Sequence, residues 1–406
     1  MLKQPMKVID LVEYQTTSAI PATEGELALL RGVQDLMISP TAGRPGFFDL
    51  TPGSTVGAVS LGKWVIHIRP KISIERLFFI LSFSVDPSQW DGQSIDLDQD
   101  ASVLEAVIPG FIWQVRRALS HGPLQGYRQE ESALVGLRGR LRMEDQLRFH
   151  FGTAPPLDCR YDQFTIDIEE NRIILAAINA LKRLHIRSEE ASRSLRAFDR
   201  ALEGVMPTRY DPRKFPLLVF TRLNRHYESA IRLSRLILSA TSPELTSGPI
   251  RSSTFLVDMN EVFENFVVVG LREALGLSES TFPRGCEGRS LFLDDNRAVR
   301  LKPDISWWDG SRCVFVGDVK YKRVEVAGIK HADLYQLLAY TISSGLPEGL
   351  LIYAAGEGEP ARHRVVHAGK TLHVFALDLK SSPADILQRI RTIATQIRSM
   401  HDKLPR

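Results

Sequence analysis

Residues 302–321 read Lys302-Pro303-Asp304-Ile305-Ser306-Trp307-Trp308-Asp309-Gly310-Ser311-Arg312-Cys313-Val314-Phe315-Val316-Gly317-Asp318-Val319-Lys320-Tyr321. The stretch sets out Pro303-Asp304, a gap of thirteen residues, Asp318, one residue and Lys320. Trp308-Asp309-Gly310-Ser311 is a turn signal, so 301–307 and 313–321 are expected to pair as antiparallel strands. Asp304 then falls opposite a residue between Phe315 and Asp318. Asp318 and Lys320, two apart, share one strand face. Two acids gathered in this way suit a divalent metal such as Mg²⁺, while the lysine suits an attacking water or the charge of a phosphoryl transition state. Taken alone, the same residues also fit a strand-capping acid and a solvated edge pair. The neighbours favour the first reading, because Val314-Phe315-Val316-Gly317 reads as a central, buried run, where an uncompensated acid is costly.

Elements on either side continue an α/β pattern from residue 251 onward. The expected order is helix, strand, strand, strand, helix, strand, strand, helix. The first helix is capped by Asp258 with Glu261 three residues on, and carries Met259, Val262, Phe263, Phe266, Val267 and Leu271 on one stripe. Strands are expected at Ser290 to Leu293, Val299 to Trp307 and Cys313 to Tyr321, then a helix from His331 to Ile342. Strands at Leu350 to Ala354 and Thr371 to Leu377 and a helix from Ala384 to Ser399 follow, giving a small central mixed sheet. Gln336 and Tyr340 stand one turn apart on a helix face. Glu264 lies at the edge of its apolar stripe, within reach of a metal as a further carboxylate. Each of these three also fits an amphipathic helix with polar residues at its margin.

Residues 1–90 alternate with period two between turn residues, at Lys7 to Leu11, Phe47 to Leu50, Gly57 to Leu61 and Lys63 to Ile68, which reads as a β-rich N-terminal domain. Met37 to Gly53, rich in Pro and Gly, reads as a long exposed hairpin or loop with Arg44 near its tip. From 91 to 250 apolar residues recur at helical spacing, in Leu104 to Leu119 (interrupted by Pro109-Gly110), Ile166 to Leu184, Ser188 to Val205 and Leu223 to Leu238, after a polar connector from Asp86 to Asp100. The fold class expected is therefore multidomain α+β: a β-rich domain at 1–90, a mainly helical middle region at 91–250 and an α/β domain at 251–406.

The chain has 406 residues, 44% hydrophobic and 24% charged, too many for one ordinary core. A net charge of +3 leaves any nucleic-acid surface to local clusters such as Arg138, Arg140, Arg142 and Arg148, which also fit the charged face of a β-hairpin. Three cysteines, Cys159, Cys286 and Cys313, form neither a CxxC pair nor a disulfide framework, so reduced thiols are expected. The N-terminus has no apolar targeting core, and the apolar run Leu77 to Phe83 is too short to span a bilayer, so a cytoplasmic protein without membrane association is expected. No GxxxxGK[ST] phosphate loop occurs, and any nucleotide hydrolysis is expected elsewhere.

The order Glu264, Pro303-Asp304, Asp318-Val319-Lys320 and Gln336-x-x-x-Tyr340 resembles the PD-(D/E)xK nuclease superfamily. More narrowly, the chain resembles the McrC family, the nuclease subunit of McrBC-type 5-methylcytosine restriction systems. Supporting stretches are Ile68-Arg69-Pro70-Lys71-Ile72, Leu137-Arg138-Gly139-Arg140-Leu141, Cys159-Arg160-Tyr161-Asp162-Gln163-Phe164-Thr165 with Asp167 and Glu170-Asn171-Arg172, and Met259-Asn260-Glu261-Val262-Phe263-Glu264. They carry the resemblance across residues 55–380. It implies a restriction-endonuclease-like C-terminal domain in a bacterial or archaeal cytoplasmic protein. The implied catalytic residues are Asp304, Asp318, Lys320, Gln336 and Tyr340, with Mg²⁺ (or Mn²⁺ in its place) on Asp304, Asp318 and Glu264. The implied partners are an AAA+ McrB-type GTPase, which this subunit stimulates, and methylated double-stranded DNA. By the same analogy the β-rich region docks on the partner ring, with Arg44 as a contact. Two other functions fit the motif: an autonomous repair or recombination nuclease, and an assembly subunit that mainly activates the motor.

Overall fold

The computed structural model describes residues 7–61, 64–85, 87, 103–150, 155–184, 186, 188–211, 214–241, 252–285, 289–323, 331–355 and 361–404. The connector expected at 86–100 and Cys286 lie outside these residues, apart from position 87. The chain forms two compact units, Met1–Val107 with Leu256–Arg406, and Ile108–Phe255.

In chain order the first elements are β1 (Lys7–Val12), β2 (Thr17–Pro21), α1 (Glu24–Leu30), β3 (Leu36–Pro40), β4 (Phe47–Pro52), β5 (Thr55–Leu61), β6 (Trp64–Arg69), α2 (Ile74–Val85) and α3 (Val103–Ala118). Then come β7 (Gly126–Leu134), β8 (Arg140–Leu141), α4 (Met143–Phe149), β9 (Leu157–Thr165), α5 (Glu169–Leu181), α6 (Glu189–Ala201) and α7 (Glu228–Ala240). The last part holds β10 (Ser252–Asp258), α8 (Met259–Leu275), β11 (Leu291–Phe292), β12 (Arg300–Leu301), β13 (Ile305–Asp309), β14 (Arg312–Arg323), α9 (His331–Ser343), β15 (Glu348–Ala355), β16 (Ala361–Arg364), β17 (Thr371–Ala376) and α10 (Pro383–Asp402).

The first unit carries the sheets β1-β6-β5-β10, β2-β4-β3, β11-β12 and the mixed sheet β13-β14-β15-β17-β16. In the last of these, β14 and β17 run parallel to β15 while β13 and β16 run antiparallel at the edges. Parallel strands need cover on both faces, and the sequence supplies it: Leu350, Leu351 and Ile352 are wholly buried, with α9 as the crossover from β14 to β15 and α8 and α10 packed against β14. Helix α8 starts where the Asp258 side chain accepts the N–H of Asn260, and ends at left-handed Gly276. Its Phe266 meets Phe79 and Phe83 of α2 edge-on, at 5.4 and 5.5 Å between ring centres. The 37–53 segment is a hairpin of β3 and β4, as its Pro/Gly content suggests, although Leu50 within it is wholly buried. Arg44 is exposed in the turn.

Several sequence expectations need correction. The middle region is not helical alone: β7, β9 and β8 form an antiparallel sheet in the second unit. These strands are polar on both faces (Gly-Tyr-Arg-Gln-Glu-Glu-Ser-Ala-Leu in β7), so no buried alternation marks them. Helix α3 runs unbroken through Pro109. Strand β10 precedes the helix expected to open the C-terminal part, and β16 was not expected. Glu261 does not close a capping box but turns to Arg284. The single strand expected over 299–307 is split into β12 and β13 at Lys302-Pro303-Asp304. Pro303 has no N–H to give a ladder. Beyond that break the Asp304 side chain takes up a β14 donor, Oδ2 accepting the N–H of Val319 at 2.8 Å.

Candidate active site

The β13–β14 hairpin closes through Gly310, at φ +55°, and pairs Ile305 with Gly317. Asp304, one residue earlier, therefore stands beside Asp318. Gly317 allows this approach, since a Cβ there would lie 2.7 Å from Ile305 Cδ1 and 2.8 Å from the Leu350 carbonyl oxygen. On β14 the side chains of Asp318 and Lys320 share a face as expected. Lys320 Nζ lies 2.5 Å from Asp318 Oδ2 and 3.7 Å from Asp304 Oδ2.

Asp318 is fully buried, and neither of its oxygens has a hydrogen-bond partner among the described residues. The close ammonium is thus an ion pair out of hydrogen-bond alignment. Burial, followed by the charge of Asp318, pushes the Asp304 carboxyl up to about 7, against the pull of Lys320 and the Val319 N–H. Burial works against the charge on Lys320, but Asp318 and Asp304 outweigh it and hold the ammonium above the ordinary lysine value.

Glu264, on α8, accepts from Arg284 Nε at 2.9 Å, and Arg284 Nη1 reaches Glu261 at 3.2 Å. Burial raises the Glu264 carboxyl; Arg284 opposes this, and the charge of Asp304 adds to it. Arg284 is built into the site by its backbone, which bridges to Ile305, while the next N–H, of Gly285, donates to the Asp304 carbonyl at 2.8 Å. Sequence reasoning missed this arginine, which lies in the unpatterned segment after α8. Asp333 was missed too. It is buried in the first turn of α9, accepts from Tyr353 Oη at 2.7 Å, and adds to the field that keeps Lys320 charged. A signal existed: an acid three residues before Gln336, on the same helix.

Gln336 Nε2 donates to Tyr340 Oη at 2.7 Å, so the pair meets as its spacing requires. Tyr340 is a core residue among Leu301, Trp308, Cys313 and Val316, and its hydroxyl donates to the Lys302 carbonyl at 3.0 Å. Both residues therefore act on the backbone that delivers Asp304.

No group of three His, Cys, Asp or Glu side chains placed to hold a metal ion occurs among the described residues. Asp304 and Asp318 still offer what a hard cation takes. Asp318 presents two buried oxygens lacking hydrogen bonds, and Asp304 uses Oδ2 toward Val319. Glu264 faces Arg284 rather than these two.

The four arginines expected to meet DNA belong to the second unit. Arg142 is committed to Glu131 at 3.0 Å and to Asp145. Arg138 stacks over Tyr161 at 4.2 Å, Arg148 lies against Phe149 at 5.3 Å, and Arg140 is exposed on β8. Cys159 and Cys313 are buried free thiols. No described helix is long and apolar enough to cross a membrane.

The family described as McrBC 5-methylcytosine restriction system component matches residues 50–354. A chain in the refined half-complex from the tetradecameric assembly of Thermococcus gammatolerans McrB AAA+ hexamers with bound McrC is 17% identical. The match covers 96% of this chain and all of that one, with a TM-score of 0.53, which is a likeness of fold. A chain in the cryo-EM structure of the Thermococcus gammatolerans McrBC complex is 19% identical over 66% of this chain and 88% of that one, with a TM-score of 0.40. No curated protein sequence matches.

Proposed function

Because the chain belongs to the family of McrBC 5-methylcytosine restriction system components, we propose that it is the DNA-cleaving subunit of such a system, working with an AAA+ GTPase of McrB type. The carrying observation is the hairpin that buries Asp318 beside Asp304 and lays Lys320 across both. That arrangement fits a PD-(D/E)xK endonuclease centre. Mg²⁺, or Mn²⁺ in its place, would be held by Asp304 and Asp318, with Glu264 tied to Arg284 outside that pair, and would supply a Lewis acid for the attacked phosphate and a water of lowered pKa.

The chain's own residues do the rest. Lys320, kept protonated by its carboxylates, donates toward the attacking water or a non-bridging phosphate oxygen, where negative charge builds up. Tyr340 and Gln336 fix the Lys302 carbonyl and so the entry of Asp304. Arg284 holds Glu264 against the same backbone turn. Contacts to double-stranded, methylated DNA are assigned to Arg138, Arg140 and Arg148, with Arg142 as a support tied to its acids. The β3–β4 hairpin with Arg44 at its turn is assigned to the partner, whose likeness is the McrB hexamer of the Thermococcus complex. GTP hydrolysis is placed in that partner, consistent with a chain without a phosphate loop.

The test is Lys320→Ala in the full chain, assayed with an McrB-type partner, GTP, Mg²⁺ and methylated DNA. Cleavage should vanish while stimulation of the partner's GTPase persists. Cleavage by the wild-type chain without partner or GTP would favour an autonomous nuclease, and unchanged cleavage by the variant would overturn the site.

A further inference from the structure

Glu13, just past β1, has a side chain with no exposed surface. Its Oε1 accepts from Tyr321 Oη at 2.8 Å and from the Lys71 N–H at 2.9 Å, with Lys71 Nζ 3.9 Å away. Its Oε2 has no hydrogen-bond partner among the described residues. Burying a carboxylate with one oxygen unsatisfied is a poor way to gain stability, and an apolar side chain would fill the space without that cost. The position is nonetheless tightly built. The Glu13 N–H donates to the Arg69 carbonyl at 3.0 Å and the Tyr14 N–H to the Pro52 carbonyl at 2.9 Å, which ties this corner to the ends of β6 and β4.

Tyr321 follows Lys320 on β14 and points to the opposite face of the strand. There its ring meets Phe263 of α8 at 5.8 Å and lies 3.9 Å beneath Lys71 Nζ. Pairing of β14 with β15 runs in register from Gly317 to Lys320 and then shifts before Arg323. The ladder therefore loses its regular hold just beyond the lysine. Glu13, reaching Tyr321 from the opposite face, supplies an anchor at that point. Burial raises both the Tyr321 phenol and the Glu13 carboxyl, which keeps the phenol a donor.

We propose that Glu13 is a positioning residue for the reaction: through Tyr321 it fixes β14 where Lys320 leaves the strand, and it joins that strand to the corner at the base of the β3–β4 hairpin. The proposal rests on the nuclease reading of Asp304, Asp318 and Lys320. A displaced lysine weakens catalysis without weakening DNA binding, because positioning errors near 1 Å cost one to two powers of ten in rate.

The experiment compares Glu13→Ala, Glu13→Gln, Tyr321→Phe and Lys320→Ala in the full chain with an McrB-type partner, GTP, Mg²⁺ and methylated DNA. Glu13→Ala and Tyr321→Phe should each lower the single-turnover cleavage rate about 10-fold, with half-saturating DNA concentration and partner GTPase stimulation unchanged within about twofold. Combined, they should cost no more than either alone. Glu13→Gln, which keeps an acceptor for Tyr321, should recover most of the rate. If Lys320→Ala is inactive while the Glu13 and Tyr321 variants cleave at full rate, the positioning role is wrong and the nuclease reading stands. If cleavage, DNA binding, GTPase stimulation and thermal stability all fall together in Glu13→Ala and Tyr321→Phe, the link is structural only and the proposal is overturned. Full cleavage by Lys320→Ala would refute the underlying site instead.

Discussion

Two buried aspartates, one in each unit, face basic side chains in opposite ways. In the second unit Asp167 accepts from Arg172 Nε at 2.6 Å and Nη2 at 2.8 Å, from Arg128, and from the Met206 N–H at 2.9 Å. In the first unit Asp318 has a lysine at 2.5 Å and no aligned hydrogen bond on either oxygen. Asp167 is a finished network: it ties the start of α5 to β7 and to the segment after α6. Asp318 is left unfinished beside a second acid, and its neighbour Asp304 is driven up to about 7. A satisfied carboxylate holds a fold, whereas an acid without aligned hydrogen bonds, next to a second acid and a cation, has capacity left for a ligand.

Exchanging each acid for its amide should separate the two roles most sharply. Asp318→Asn should reduce DNA cleavage by the assembled complex about 10³-fold or more, while changing stability by no more than about 1 kcal/mol, because Lys320 is partly exposed and keeps Asp304. Asp167→Asn should do the reverse. Leaving Arg172 and Arg128 without their shared partner costs about 2–4 kcal/mol, while the proposed cleavage centre in the other unit should stay intact. Denaturant melts and cleavage rates of the two variants, measured side by side, decide the matter. If Asp167→Asn is inactive but fully stable, the contrast collapses.

The same contrast has a pH signature. Arg172, first of the causes, outweighs burial, and with Met206 N–H and Arg128 it holds the Asp167 carboxyl well below the ordinary carboxylate range. A depressed folded-state pKa means that the unfolded chain takes up the proton first. The stabilisation is thus fully present above about pH 4, the unfolded value, and drains away as pH falls through the acid range toward the folded one. Hydrogen exchange at α5 amides should accelerate as pH falls below about 4, relative to exchange at pH 7 corrected for intrinsic rate, and Asp167→Asn should flatten that slope. A slope unchanged by the substitution would show that Asp167 does not carry it.

Much of the sheet that carries Asp304 and Asp318 was legible because the sequence repeats its message there: a buried run of Val314, Phe315 and Val316, a Trp-Asp-Gly-Ser turn, and an acid on each strand it joins. What escaped reading had no such redundancy. Strand β7 is exposed on one face and half-buried on the other, β9 buries Cys159 alone, and neither has a hydrophobic period, so nearby helical spacing decided the expectation. Arg284 comes to Asp304 through a backbone bridge from a segment with no pattern of its own, and contacts so distant in sequence leave no local trace. Glu13 and Tyr321, 308 residues apart, are the extreme case. The break at Pro303 could have been foreseen from its missing N–H. That the Asp304 carboxylate would then accept the Val319 N–H could not.

Tyr340 gives the smallest expected effect and the finest distinction. The family resemblance makes it catalytic, whereas its hydroxyl in the fold is spent on the Lys302 carbonyl and the Gln336 amide, with the ring packed among Leu301, Trp308 and Val316. Tyr340→Phe keeps the ring and removes both bonds, leaving the Lys302 carbonyl without this donor, at a cost of about 1 kcal/mol. Asp304 is two residues beyond that carbonyl, so cleavage should slow by about 3- to 10-fold, with DNA affinity unchanged. Gln336→Ala, which keeps the bond to Lys302, should slow it less. A loss above about 10²-fold in Tyr340→Phe with unchanged stability would show the phenol touching the reacting phosphate. Tyr340 would then belong with Asp318, among groups whose bonds are completed only by substrate, and no longer with Asp167, whose bonds are already complete.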